Sequence, residues 1–189
     1  VIRDPMLRES LTPDYPLGSR RLLASDHFLP ALNRENVDLE TDKIDHIDAK
    51  NVVTASGRKI PADVLVLATG FRSTEFLAPM EIVGRDGKTL SDVWHNGAEA
   101  YLGLTVTDFP NFFMMYGPNT NLGHNSIIFM IECQTAYIMD CLRRMDEEEL
   151  STLDLRPEVM ERFNAKIQGE LDQTVFAQAE RSWYKTAAG

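Results

Sequence analysis

Two short segments constrain this chain more than any others: Val64 to Ala68 (VLVLA) and Phe112 to Tyr116 (FFMMY). Each is apolar at every position, which suits a strand covered on both faces inside an α/β sheet rather than a half-exposed one. Each runs into a glycine, Gly70 or Gly117. Strands of this kind form the skeleton of a doubly wound nucleotide fold, whose ligands sit at the strands' carboxyl ends. None of the eleven glycines forms a G-x-G-x-x-G turn, however. The residue pattern by itself reaches "part of an α/β domain" and stops there.

The rest of the chain is arranged around those strands. Residues 1 to 19 read as irregular, punctuated by Pro5, Pro13, Pro16 and Gly18. Arg21 to Ala24 and Val37 to Glu40 are strand candidates, and Asp26 to Asn33 a brief helix capped by Asp26. Lys43 to Asp48 and Asn51 to Ala55 alternate as a hairpin does, followed by a Ser56-Gly57 turn and Arg58 to Ile60. Gly84 to Gly87 reads as a hairpin turn, and Leu90 to His95 as a short helix. A Gly-, Asn- and Thr-rich stretch, Gly117 to Asn125, opens into the longest helix, about Ser126 to Met145. There Ile127, Met130, Ile131, Gln134, Ile138, Cys141, Leu142 and Met145 make a mostly apolar stripe at helical spacing. A last helix starts at Pro157, with Met160, Phe163, Ile167 and Leu171 on its buried side.

Composition removes several function classes. With 43% hydrophobic residues the chain can build a core, and a net charge of −10 argues against binding nucleic acid or an anionic membrane. That negative surplus lies downstream, because residues 1 to 36 hold five arginines and five acids. No run approaches the roughly twenty apolar residues needed to cross a bilayer. Cys133 and Cys141 fall on one helix, about 12 Å apart by helical rise, too far for a disulfide. They read as reduced core residues of a cytoplasmic protein. His27, His46, His95 and His124 show no ligand spacing, so no metal site is expected.

The segments DVLVLATGF (63 to 71) and FPNFFMMYGPNTNLGHNSIIFMIECQ (109 to 134) resemble flavin-containing and Baeyer–Villiger monooxygenases. YPLGSRRLLASDHFLPALNRENV (15 to 37) and Ser182-Trp183-Tyr184 favour the Baeyer–Villiger branch. The resemblance spans essentially the whole chain but only the last third or so of a family member. It implies a carboxyl-terminal fragment of an incomplete two-dinucleotide-binding-domain, Rossmann-like α/β flavoprotein fold, with a β-hairpin and carboxyl-terminal helices. Residues 1–70 would be the tail of the NADP-binding domain and 71–189 the tail of the FAD-binding domain. The family's FAD and NADP fingerprints and its histidine-bearing signature lie upstream of the matched region. Ala179-Glu180 stands where the family often has Gly-Cys.

The same resemblance implies the chemistry. The parent would be an oxidoreductase, using FAD and NADPH to insert one oxygen atom of O2 into a ketone through a C4a-peroxyflavin. Arg21 matches the active-site arginine, a fixed cation able to stabilise both a peroxide and the alkoxide it generates. Arg20 matches a basic residue near the NADP 2′-phosphate, although an Arg-Arg pair alone is more often a solvated surface feature. Gly70 would let backbone pass close to a cofactor or hinge, or would simply end a strand. Gly117, Pro118, Asn119, Thr120, Asn121 and Leu122 join an apolar strand to a helix, so their free N–H groups and the helix dipole suit an anionic flavin ring. Asn121 or Asn125 acting as a plain helix cap is the competing reading. Trp183 matches a tryptophan near the nicotinamide cofactor, or packs the terminal segment.

Two rivals stand beside this reading. One is a flavin-containing N- or S-hydroxylating monooxygenase, acting on a soft heteroatom. The other is an isolated, non-catalytic structural or interaction fragment, which would hold FAD weakly or not at all. Truncated sheets would expose strand edges, so self-association of such a fragment is expected.

Overall fold

The computed structural model describes residues 1–121, 123, 125–179 and 182–186. It divides into two compact units, Val1–Asp14 with Leu23–Phe71, and Tyr15–Leu22 with Arg72–Gly189. The chain therefore leaves the first unit at residue 15, contributes eight residues (15 to 22) to the second, and returns.

The first unit is built on a three-stranded antiparallel sheet in the order β1-β2-β3, from Ile44–Ile47, Asn51–Thr54 and Lys59–Pro61. The predicted hairpin is present. Its register pairs Ile44 with Thr54 and Ile47 with Val52, with an irregularity between Ile44 and His46. Asp48 turns the first corner, its Oδ1 accepting from the N–H groups of Lys50 and Asn51 at 2.8 Å each. Asp42 ties the entry of β1 to the second corner, accepting from the Ser56 N–H at 2.8 Å. The sheet's buried positions are Val53 and Thr54, whereas every residue of β1 is exposed. Helix α1 (Pro5–Leu11) starts at an Asp4 cap with Pro5 in its first turn. Asn33 closes the unit by accepting from Arg3 N–H at 3.1 Å and donating to the Val1 carbonyl at 3.0 Å.

Several expected elements of this unit differ. The brief helix α2 is shorter, Phe28–Ala31, and Ser25 rather than Asp26 accepts from its leading N–H groups. Arg21 to Ala24 and Val37 to Glu40 form no strand. Nor does Val64 to Ala68: the run is unladdered, with Val64, Leu65, Val66 and Leu67 exposed by 80, 45, 82 and 72%. A strand exists only by hydrogen bonding to a neighbour, and none of the described residues supplies one here. The parallel sheet of a doubly wound fold is accordingly absent among the described residues; the architecture is mixed α/β with one small antiparallel sheet.

The second unit packs Leu90, Ala100, Val106, Phe109 and Met114 into a core, with Trp94, Phe112 and Met160 against it. The Gly84 to Gly87 turn is present, as a 3-10 turn between the bridged residues Val83 and Thr89. Helix α3 (Leu90–Val93) follows, capped by Thr89. The two long helices are where the periodicity put them: α4 at Ile127–Glu147, capped by Ser126, and α5 at Pro157–Leu171. Phe112 to Tyr116 is the exception. It turns instead of running as a strand, with positive φ at Asn111 and Tyr116. No helix among the described residues is long and apolar enough to cross a membrane.

Hydrogen bonding holds carboxylates of the first unit below their ordinary range. For Asp42 the bonds from Ser56 are the main cause, for Asp48 the Lys50 N–H, and for Glu40 the Asp42 N–H. A depressed folded-state pKa contributes stability that is present above the unfolded value and lost as pH falls through the folded one. We expect the hairpin unit to lose stability as pH drops below about 4. Asp42→Asn should flatten that loss, measured as urea midpoints from pH 6 to 2. An unchanged pH slope in the variant would remove Asp42 from the account.

Candidate functional site

The Gly117 to Asn121 turn rests on another tight turn, Tyr101 to Thr105, closed by the Tyr101 N–H to the Thr105 carbonyl at 2.9 Å. The two are joined by their backbones, Met114 N–H to Leu104 carbonyl at 2.9 Å and Gly117 N–H to Gly103 carbonyl at 3.2 Å. The approach is close enough to exclude side chains. A Cβ on Gly103, at φ +66°, would run into the Thr120 methyl, and one on Gly117 would lie 2.7 Å from Met114 Sδ. Only glycine fits both positions.

Within the turn, the Thr120 hydroxyl donates to the Gly117 carbonyl at 2.7 Å, and the Tyr116 hydroxyl donates to Asn121 Oδ1 at 2.7 Å. Gly117, Pro118 and Thr120 are buried, Asn121 half-buried and Asn119 exposed. The backbone N–H groups of Asn119, Thr120 and Asn121 meet no protein acceptor among the described residues. Adjacent N–H groups left open in a turn form a concavity suited to negative charge. Leu122, the last residue of the expected site, lies outside the described residues.

The competing cap reading needs correcting. Helix α4 begins at Ile127, its cap is Ser126, and Asn125 accepts from the Ser126 N–H at 2.7 Å. Neither Asn121 nor Asn125 caps α4, and the helix end lies beyond the turn.

Helix α4 contributes in another way. Gln134, read in the sequence as one more position of an apolar stripe, is buried at 7% exposure. Its Oε1 accepts from Tyr116 N–H at 3.0 Å and its Nε2 donates to the Leu102 carbonyl at 3.0 Å. The available signal was its polarity: an amide within an otherwise apolar stripe must find hydrogen-bond partners.

The other expected residues of this unit arrive through the Ser182–Tyr184 segment. Ser182 Oγ donates to the carbonyl of fully buried Ser19 at 2.8 Å, directly before Arg20 and Arg21. Ser73 Oγ donates to the Trp183 carbonyl at 2.8 Å. Tyr184 packs edge-on against Phe176 at 5.0 Å, and its hydroxyl would lie 3.3 Å from a Cβ on Gly123. One segment thus meets Ser19, the residue before the arginine pair, at one end and approaches Gly123 at the other. The Arg20 guanidinium lies 4.0 Å from the centroid of the Tyr15 ring, a cation–π contact. Arg21 is exposed and, among the described residues, has no ion-pair or hydrogen-bond partner. Trp183 is 44% exposed. Gly70, at φ +83°, belongs to the first unit.

A cleft of about 440 Å³ opens elsewhere in the second unit, lined by Phe109, Phe112, Phe113, Tyr137, Cys141 and Arg144. Burial pushes the Tyr137 phenol and the Cys141 thiol up, so the thiol stays protonated near neutral pH. Neither cysteine is the core residue expected, since Cys133 is exposed and Cys141 half-buried.

No family model matches the sequence. Individual proteins do. An FAD-binding monooxygenase of Aspergillus niger is 45% identical across 98% of this chain and 31% of its own length. A Baeyer–Villiger monooxygenase of Pseudomonas aeruginosa is 41% identical across 97% of this chain and 35% of its own. Over nearly its whole length the chain is similar to one part of these monooxygenases. An oxidized steroid monooxygenase bound to NADP superposes at a TM-score of 0.88 with 30% identity, over 100% of this chain and 37% of that one. The chain spans about a third of the length of the relatives it matches.

The close Gly103–Thr120 approach gives a direct test. Gly103→Ala should cost about 2 to 4 kcal/mol, from a strained positive φ and from overpacking. The urea midpoint measures it; a change below about 0.5 kcal/mol, the level of an ordinary surface substitution, would show the approach to be loose.

Proposed function

We propose that this chain is the carboxyl-terminal part of an FAD- and NADPH-dependent monooxygenase that inserts one oxygen atom of O2 into a small-molecule ketone. The observation that carries the reading is the Ser182–Tyr184 segment, anchored at Ser19, the residue before the two arginines, with its Tyr184 hydroxyl beside Gly123. The similarity to Baeyer–Villiger and FAD-binding monooxygenases supports it. So does the structural likeness to a steroid monooxygenase bound to NADP. Bound FAD and NADPH would supply oxygen activation and hydride respectively.

The residues present fit such cofactors. Three amides of the Gly117–Asn121 turn, without a protein acceptor among the described residues, are suited to hold negative charge on a reduced ring. Arg21 offers a permanent cation, unpaired among the described residues and able to stabilise an anion that forms during oxygen transfer. Arg20 would meet the 2′-phosphate of NADP, a role that requires its guanidinium to leave or share the Tyr15 face. Trp183 would lie along the nicotinamide cofactor and Gly70 at its domain's edge. In this reading 1–70 closes an NADP-binding domain and 71–189 an FAD-binding domain, both Rossmann-like and cytoplasmic, and VLVLA is an inner strand whose neighbours lie in the unmatched part of the relatives. The exposure of Val64 and Val66, 80 and 82%, supports self-association of the chain on its own.

The decisive experiment grafts these residues into the P. aeruginosa relative in place of its matching third. The graft should purify yellow and oxygenate a cyclic ketone, while the isolated chain should be colourless and self-associated. In the graft, Arg21→Ala should lower oxygenated product at least a hundredfold, about 3 kcal/mol, while NADPH consumption persists. Product at near wild-type yield would sink the assignment of Arg21. A clean monomer by light scattering at high concentration would remove the self-association.

A further inference from the structure

We infer that Gln134 is a positioning residue of the N–H-rich turn, holding from outside it the backbone that sets where the amides of Asn119, Thr120 and Asn121 point. The inference rests on the flavin-facing reading of that turn. Gln134 sits in α4, outside the turn, and reaches both layers of backbone beneath it. Its amide accepts from Tyr116 N–H, the residue immediately before Gly117, and donates to the Leu102 carbonyl, immediately before Gly103.

Both of those backbone positions are unfavourable without support. Leu102 and Tyr116 have φ of +53° and +58°, the left-handed region that L side chains avoid. The amide holds each residue by the backbone group next to its strained dihedral. Gly103 and Gly117 then meet through their own backbones, and Thr120 seats its methyl over Gly103. The Tyr116 side chain carries the constraint across the turn, through its hydroxyl to Asn121. The chain of contacts Gln134, Tyr116, Asn121 therefore brackets the three open amides from both ends.

No other described side chain makes a hydrogen bond to the Tyr116 N–H or the Leu102 carbonyl. A leucine of similar size would fill the space and leave both backbone groups without a partner among the described residues. Tyr116 would then be free to relax to negative φ, swinging Gly117 and the amides that follow. Glutamate would keep the acceptor for Tyr116 and, ionised, lose the donor to Leu102, which separates the two halves of the device.

The test compares Gln134→Leu and Gln134→Glu in the same graft, with two readouts. Amide exchange at Tyr116 should quicken tenfold to a hundredfold in Gln134→Leu and stay near wild type in Gln134→Glu. The flavin midpoint potential should shift downward in Gln134→Leu, because amides that favour the anionic reduced ring have moved; in Gln134→Glu the added negative charge lowers it too, so exchange separates the two variants. A yellow graft in which Gln134→Leu changes neither exchange nor potential overturns the inference. A colourless wild-type graft overturns the flavin reading instead, and the exchange rates still decide whether Gln134 holds Tyr116.

Discussion

The second unit depends on the antiparallel meeting of two pieces of backbone, Leu102–Leu104 and Met114–Gly117. Leu104 and Met114, bonded to each other through Met114 N–H, are both buried. Met114 also joins the core of Val106, Phe109 and Ala100, and the turn that follows it carries three amides with no protein acceptor among the described residues. The contact is short because glycine occupies the two places where a side chain would intervene. It is directional because a single carboxamide from α4 fixes its outer end. Apolar burial alone is non-directional, and would hold these segments together without deciding which way the turn's N–H groups face. The polar contacts make that decision.

What was legible in the sequence followed the range of the hydrogen bonds involved. Helices α4 and α5 satisfy their backbone internally, so periodicity and the Pro157 start located both. The β1–β2 hairpin pairs residues close in sequence and was equally legible. VLVLA and FFMMY were read as strands from side chains alone, yet a strand needs a partner at 4.7–4.9 Å whose presence no apolar pattern can guarantee. In the first case the run is left exposed, and in the second the backbone turns to meet Gly103 and Leu104.

The site divides in the same way. Gly117 to Asn121 could be picked out by composition, because glycine, proline and asparagine mark irregular backbone. The role of Gln134 could not, since its partners lie 18 and 32 residues away. Nor could the attachment of Ser182 to Ser19, between residues 163 apart. Arg20 and Arg21 were singled out by resemblance, and their physical distinction appears only in three dimensions. One stacks on Tyr15, while the other keeps its charge free of protein partners among the described residues.

That Ser182–Ser19 link carries a consequence for the order of assembly. Closing a loop of 163 residues costs about 4.5 kcal/mol of chain entropy, whereas one hydrogen bond returns about 1 kcal/mol. The bond is too weak to bring its own ends together. Leu90, Val106, Phe109 and Met114 must first condense and shorten the intervening path. Ser182 can dock beside the arginines only afterwards, so the stretch that unites the candidate site is the last to form and the first to open.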